Sequence, residues 1–214
     1  MALVLGTNCG FVTTAPTSDP EGSIITQDTY SWGLKVTSPI GAVKVTEIGW
    51  WCDTATEEAN FEVGIYSHDS ENNRPGNLLS GASTTNAKGT TNGWKKATGL
   101  NIIITGETIY WLAVQLDDTA TTTRANYKSD ATQKVDYKYP SSSLHTPWGI
   151  SSSTSAYLFG VYAVWEAEPP PGENIYVNVD DVHKQVAAVY VNVDDVWKEV
   201  TDISVNVDDA WKTV

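Results

Sequence analysis

The side chains able to do chemistry in this 214-residue chain are its acids, three histidines, two cysteines and nine tryptophans. Their spacing limits what they can do. Six carboxylates fall in three pairs at constant spacing: Asp180 and Asp181, Asp194 and Asp195, Asp208 and Asp209. Lined up along one edge, such oxygens would suit calcium. Without the glycine-punctuated loop of an EF-hand, the plainer reading is a solvated edge whose self-repulsion blocks wrong strand pairing. Glu57, Glu58, Asp117 and Asp118 supply further carboxylate pairs of the kind glycoside hydrolysis uses, but adjacent acids more often belong to a solvated loop. His68, His145 and His183 are scattered and lack the i, i+2 or i, i+4 company of a metal site. The chain contains no G-x-S-x-G elbow, no phosphate-cradling glycine loop and no H-E-x-x-H. The expectation is a protein that is not an enzyme and has no resident cofactor.

Sugar binding uses simpler chemistry, a flat aromatic ring against the apolar face of a pyranose. Trp148, in "HTPWGIS", sits in a loop and is the aromatic least explained by strand packing. Trp50 and Trp51 are strand neighbours, so one of them must point away from the core if the strand is regular. These three are the candidate ligand-binding residues, with core or interface packing as the competing use.

Charge narrows the partners. Acids outnumber bases 26 to 13, a formal net charge of -13. Nucleic-acid binders need lysine and arginine to displace counterions from phosphate, and anionic membrane surfaces also select for basic residues, so neither is an expected partner. Cys9 and Cys52 show no C-x-x-C or Cys/His metal spacing, and the expectation is two free, structural thiols. The opening "MALVLGTNCGFVTTAPT" has no basic n-region and no apolar run long enough for a signal peptide or a membrane span. A native Met1 then means synthesis in a cytoplasm.

The elements that must position these residues are strands. Hydrophobic residues make up 41% of the chain and charged residues 18%, with ten tyrosines besides the tryptophans, so material for a core is present. "TIYWLAVQLDD" puts Tyr110, Leu112, Val114 and Leu116 on one face and Trp111, Ala113 and Gln115 on the other. Phe61, Val63 and Ile65 alternate likewise, as do Tyr157, Phe159, Val161, Ala163 and Trp165. "SWGLKVTS", "GWKKATGLNIIIT" and "KVDYKYP" are further strands, separated by turn-rich stretches such as "SENNRPGN" and "PSSSLHTPWGISSSTS". Many short strands with polar loops predict an all-β fold, a two-sheet β-sandwich of jelly-roll type over residues 1–167. In "AVKVTEIGWWCD", Val43 and Val45 set one phase while Ile48, Trp50 and Cys52 set the other; a bulge near Glu47 or Gly49 would restore one buried face.

A proline-rich linker, residues 168–174, follows the sandwich, its three consecutive prolines favouring a stiff extended spacer. Residues 175–214 then repeat every 14: "YVNVDDVHKQVAAV", "YVNVDDVWKEVTDI" and "SVNVDDAWKTV". Each unit reads as strand, Asp-Asp turn, strand, pairing Val179 with Val182, Asn178 with His183 and Val177 with Lys184. Such a hairpin is apolar on one side and aromatic on the other, and cannot be stable alone in water. It needs cover from its neighbours or from other copies, and the intermolecular version is favoured because three small hairpins have little interior of their own. The assembly residues this predicts are Tyr176, Val177, Val179, Tyr190, Val191, Val193, Trp197, Val205, Val207 and Trp211.

A resemblance can now be stated. The runs "LVLGTNCGFVTTAPTSDP", "TEIGWWCDTATEEANFEVGIYS", "GW" and "TIYWLAVQLDD" look like a jelly-roll-type β-sandwich domain of structural proteins of tailed phages. The hairpins around "YVNVDDVWKEV" resemble short repeats appended to phage tail, fibre or capsid-surface proteins. The resemblance implies a decoration, head-fibre or tail-fibre subunit at the virion surface, homotrimeric and in contact with other virion proteins. It supplies no catalytic residues. "YWLAVQ"-type strands also occur in secreted bacterial sandwich domains that bind carbohydrate, which implies host-surface glycans as the alternative partner. A second Asp stands where such hairpin turns usually carry glycine.

Overall fold

The computed structural model describes residues 1–54, 58–116 and 123–167 in full, and beyond them the backbone of six short strands between 176 and 213. It is all-β: the described residues contain strands and turns and no helix. None therefore forms a helix long and apolar enough to cross a membrane. The chain divides into two compact units, Met1–Ala167 and Glu168–Val214.

The described residues of the first unit form fourteen strands. In chain order they are β1 (Gly10–Val12), β2 (Ser23–Thr26), β3 (Ser31–Thr37), β4 (Ala42–Thr54), β5 (Asn60–Asp69), β6 (Arg74–Leu78) and β7 (Ser83–Ala87). There follow β8 (Gly93–Ile103), β9 (Ile109–Leu116), β10 (Arg124–Ser129), β11 (Val135–Lys138), β12 (Ser153–Ser155), β13 (Tyr157–Phe159) and β14 (Val161–Ala167). One seven-stranded sheet is built around β4, which pairs with β14, β8 and β10; β1 adds in parallel to β14, while β2 and β13 pair with β10. The other runs β12-β11-β3-β9-β5-β6, with β7 also on β5. Along the chain β3, β5, β9 and β11 in one sheet alternate with β4, β8, β10 and β14 in the other, while β6 and β7 stay in the sheet of β5, and β12 in that of β11. Apart from the consecutive pairs β5–β6 and β11–β12, paired strands among the described residues are therefore distant in sequence, and most long connections pass from one sheet to the other.

That core is the set of inward faces that period-two alternation marks out. Phe61, Val63 and Ile65 of β5 and Tyr110, Leu112, Val114 and Leu116 of β9 pack against Val45, Ile48, Trp50 and Cys52 of β4 and Phe159, Val161 and Ala163 of β13 and β14. The ring of Trp50 meets Phe61 across the two sheets edge-on, with centroids 5.9 Å apart, and Trp32 stacks on Phe159 at 5.6 Å. Both cysteines are free and buried. Burial pushes the Cys9 thiol up to about 12 and the Cys52 thiol to about 11, so neither is a thiolate at neutral pH.

The phase change in β4 is resolved beside Glu47, the first of the two expected positions. Partners on β14 run from Val164, opposite Glu47, directly to Trp165, opposite Val45, so Thr46 is the extra residue. One inserted residue turns Val45 and Ile48 to the same side. Gly49 plays a separate part, because a Cβ there would lie 2.6 Å from the Tyr162 ring and its absence lets that ring cross the strand.

In the second unit, β15 (Tyr176–Val179) pairs with β16 (Val182–Gln185), β17 (Tyr190–Val193) with β18 (Val196–Glu199), and β19 (Ser204–Val207) with β20 (Ala210–Thr213). Each ladder is antiparallel and two-stranded. Tyr176 opposes Gln185, Tyr190 opposes Glu199 and Ser204 opposes Thr213; Asn178 opposes His183, Asn192 opposes Trp197 and Asn206 opposes Trp211. The linker prolines and the residues Asp180, Asp181, Asp194, Asp195, Asp208 and Asp209, with the calcium reading that rests on them, lie outside the described residues, as do Glu57, Asp117 and Asp118.

Candidate functional site

The loop 139–152, between β11 and β12, is the segment from which a surface tryptophan is expected. It is instead a strap laid along the outer face of the β3-β9-β5 sheet. That face is lined by small residues where the strap crosses: Gly33, Gly64 and Ala113. A Cβ at Gly64 would come within 2.6 Å of Leu78 and 3.3 Å of Leu144, and one at Gly33 within 3.7 Å of Trp148. Into this trough fall Leu144 and Trp148, packed with Tyr66, Trp111 and Ala113 as a second apolar cluster.

Buried polar groups hold the strap down. The Tyr66 hydroxyl donates to the His145 carbonyl at 2.8 Å, and the Leu144 N–H donates to Glu62 Oε2 at 2.6 Å. Gln115 Nε2 donates to the Ser141 carbonyl at 3.0 Å, and the Ser31 and Ser141 hydroxyls meet at 2.7 Å. The backbone N–H of Trp148 reaches the Gly76 carbonyl at 2.8 Å, its indole Nε1 donates to Asp136 Oδ1 at 3.0 Å, and its own carbonyl accepts from Lys138 Nζ. Trp148 is 0% exposed, with Tyr66 edge-on to its ring at 5.0 Å. This corrects the expectation of a sugar platform at Trp148, whose faces are filled by protein.

The neighbouring tryptophans divide as a regular strand requires. Trp50 points inward and is fully buried. Trp51 points to the outer face of its own sheet but is only 8% exposed, because Trp94 packs edge-on to it at 5.4 Å and Tyr162 edge-on to Trp94 at 5.1 Å. Trp94 is tied through its Nε1 to the Ser18 carbonyl, and Tyr162 donates to Glu47 Oε1 at 2.6 Å. Neither Trp50 nor Trp51 presents a free ring face. The assembly residues from Tyr176 to Trp211 lie on β15, β17, β18, β19 and β20, where the backbone register is described and the side chains are not.

The exposed aromatic surface lies elsewhere. Tyr139 is 54% exposed and stacks on Tyr30, with centroids 4.6 Å apart; Tyr30 stacks in turn on Trp32 at 5.5 Å, and Tyr137 leans on Trp32 at 4.7 Å. This file of rings runs from the core to solvent. Beside it in the chain, Thr29, Pro140, Ser141, Ser142 and His145 line a cleft of about 250 Å³. The sequence signal was available in "KVDYKYP": period two puts Tyr137 and Tyr139 on one face, and the register of β11 on β3 sets Tyr137 opposite Trp32.

His68 and Glu58 take structural partners. His68 accepts the Trp111 indole N–H at Nδ1 (3.1 Å), which fixes its proton on Nε2; burial and the nearby Lys35 hold its pKa below the ordinary value. Glu58 accepts backbone N–H groups of Gly89 (2.7 Å) and Ala59 (3.1 Å), which hold its carboxyl low. Among the described residues no group of three or more His, Cys, Asp or Glu side chains is placed to hold a metal ion. A second cleft, of about 430 Å³, opens on the outer side of β3 and carries Lys35, Asn73 and Lys134 in its wall.

Compared with family models, curated proteins and solved structures, the chain matches none of them.

Proposed function

We propose that the chain is a non-enzymatic structural protein of a virus particle, a decoration or fibre subunit exposed on the capsid or tail. In this reading the first unit is a jelly-roll-like sandwich presented to the outside, and the hairpin repeats self-associate, as a homotrimer, with matching repeats of other copies. The observation that carries it is the set of three two-stranded ladders in one register at a 14-residue spacing. A two-stranded ribbon is marginal in water, and three alike in one chain favour cover by further copies of the same ribbon. The jelly-roll reading is supported by the alternation of β3, β4, β5, β8, β9, β10, β11 and β14 between the two sheets. Size-exclusion chromatography with light scattering of the full chain and of residues 1–167 tests it. Three copies reduced to one by the truncation is the expected result, and a full-length chain already monomeric overturns it.

A carbohydrate-binding module directed at host-surface glycans is the second reading, favoured by the solvent-facing Tyr139 backed by Tyr30. Stacking of this kind suits a pyranose and needs no charge. Glycan-array binding that Tyr139→Ala abolishes, with the melting temperature unchanged, is expected of it. An array silent at high protein concentration removes this reading and leaves the first in place.

A further inference from the structure

We propose that the cleft between β3 and the turn before β11 is a binding site for an oxyanion, a sulfate, phosphate or carboxylate group of an acidic ligand, held between Lys35 and Lys134. The two ammonium groups converge on one residue. Lys35 Nζ donates to Asn73 Oδ1 at 2.7 Å and Lys134 Nζ to the Asn73 carbonyl at 2.5 Å. Asn73 makes this possible by adopting a φ of 51°, a left-handed conformation that asparagine enters more readily than most residues.

Like charges brought together on one neutral residue repel, and a fold tolerates that where a counter-charge completes the arrangement. None is supplied by the wall: it includes Leu5, Ile109 and Thr132, and among the described residues no Asp or Glu. Neither lysine has a carboxylate within ion-pair distance among the described residues; Arg74 pairs with Asp69, and Lys44 and Lys96 with Glu166 and Glu47. The acids around the cleft have other partners: Asp136 is fully buried and accepts from Trp148, Asp130 accepts from Thr132, and Asp69 accepts from Asn72 and Arg74. The Lys134 ammonium also sits 5.8 Å from the centre of the Trp111 ring, which fixes its position while leaving donors free. In a chain of net charge -13, a cleft whose charged wall residues are both lysines is set apart from the rest of the surface. Charge-assisted hydrogen bonds from two ammonium groups are the chemistry that recognises an oxyanion.

The test titrates the full chain at low ionic strength with sodium sulfate, sodium phosphate and sodium glucuronate, against sodium chloride at matched ionic strength. Melting temperature and the NMR signals of the Asn73 amide and Trp111 indole are followed. At least one oxyanion is expected to raise the melting temperature saturably beyond chloride while shifting those signals. The strongest of the three identifies the group, sulfate ester, phosphate or carboxylate. Lys35→Gln and Lys134→Gln are each expected to weaken binding at least tenfold and, without added anion, to raise the melting temperature at low salt by relieving the repulsion. Equal responses to all four salts overturn the proposal. So does a double variant that still binds as wild type, or a pair of single variants that both melt lower without anion, which would make the lysines structural hydrogen-bond donors only.

Discussion

The indole N–H of Trp148 donates to the carboxylate of Asp136 at 3.0 Å, with both residues shut away from solvent. This bond joins the strap to the sheet beneath it and explains why the tryptophan least accounted for by strand pattern is packed as deeply as any. A buried carboxylate needs a donor, and the strap delivers one from twelve residues downstream.

Replacing Trp148 by phenylalanine should therefore cost more than the same change at Trp50. Trp50 Nε1 has no acceptor among the described residues, so Trp50→Phe loses only ring volume. Trp148→Phe loses similar volume and also leaves Asp136 short of a donor, which adds about 1–3 kcal/mol. Urea denaturation of the two variants checks this, and equal midpoints would mean that the Asp136 bond contributes nothing net.

Asp136 also sets a pH dependence. Burial raises its pKa in the folded protein above the ordinary carboxyl value, against the pull of the Trp148 donor. The folded state thus binds this proton more tightly than the unfolded one. The site lowers stability at neutral pH, and that cost disappears as pH falls through the folded pKa towards about 3.9. Asp136→Asn keeps the accepting oxygen and removes the charge. It should raise the melting temperature relative to wild type at pH 7, and the gap should narrow at about pH 4.

His68 works in the opposite direction. Its folded pKa lies below the ordinary value, and Nδ1 must stay unprotonated to accept from Trp111. Its contribution is complete above about pH 6.5 and is lost as pH falls through the folded pKa. An NMR titration should place the His68 midpoint below the ordinary histidine value of about 6.5. A His68 midpoint at or above about 6.5 would contradict the geometry.

At Gly49, alanine would place a methyl 2.6 Å from the Tyr162 ring. Gly49→Ala should displace that ring, break its bond to Glu47 and cost about 1–3 kcal/mol, the usual range for overpacking. Glu47→Gln, which retains an acceptor, should cost less. Near-ultraviolet circular dichroism of the Trp51, Trp94 and Tyr162 cluster reports the displacement directly.

The aromatic candidates show how far local pattern reaches. That Trp50 and Trp51 take opposite sides of β4 is legible, because successive side chains on a strand alternate. That Trp51 is nonetheless covered is not, because its cover comes from Trp94 and Tyr162, 43 and 111 positions away. The Tyr30–Tyr139 stack is half legible: alternation puts Tyr137 and Tyr139 on one face, but only the pairing of β11 with β3 brings Tyr30 beside them.

Taken alone, the order of residues determined the all-β character, the inward faces of β5 and β9, and the need for one inserted residue between Val45 and Ile48. These follow from side-chain alternation, which each strand carries within its own few residues. The tertiary structure decided what happens on the other face of β9, where Trp111, Ala113 and Gln115 are buried as fully as their inward neighbours. It also decided that Lys35 and Lys134 share Asn73. Both outcomes depend on where a distant loop comes to rest, and that is set by the packing of the whole sandwich and not by the period of any one strand.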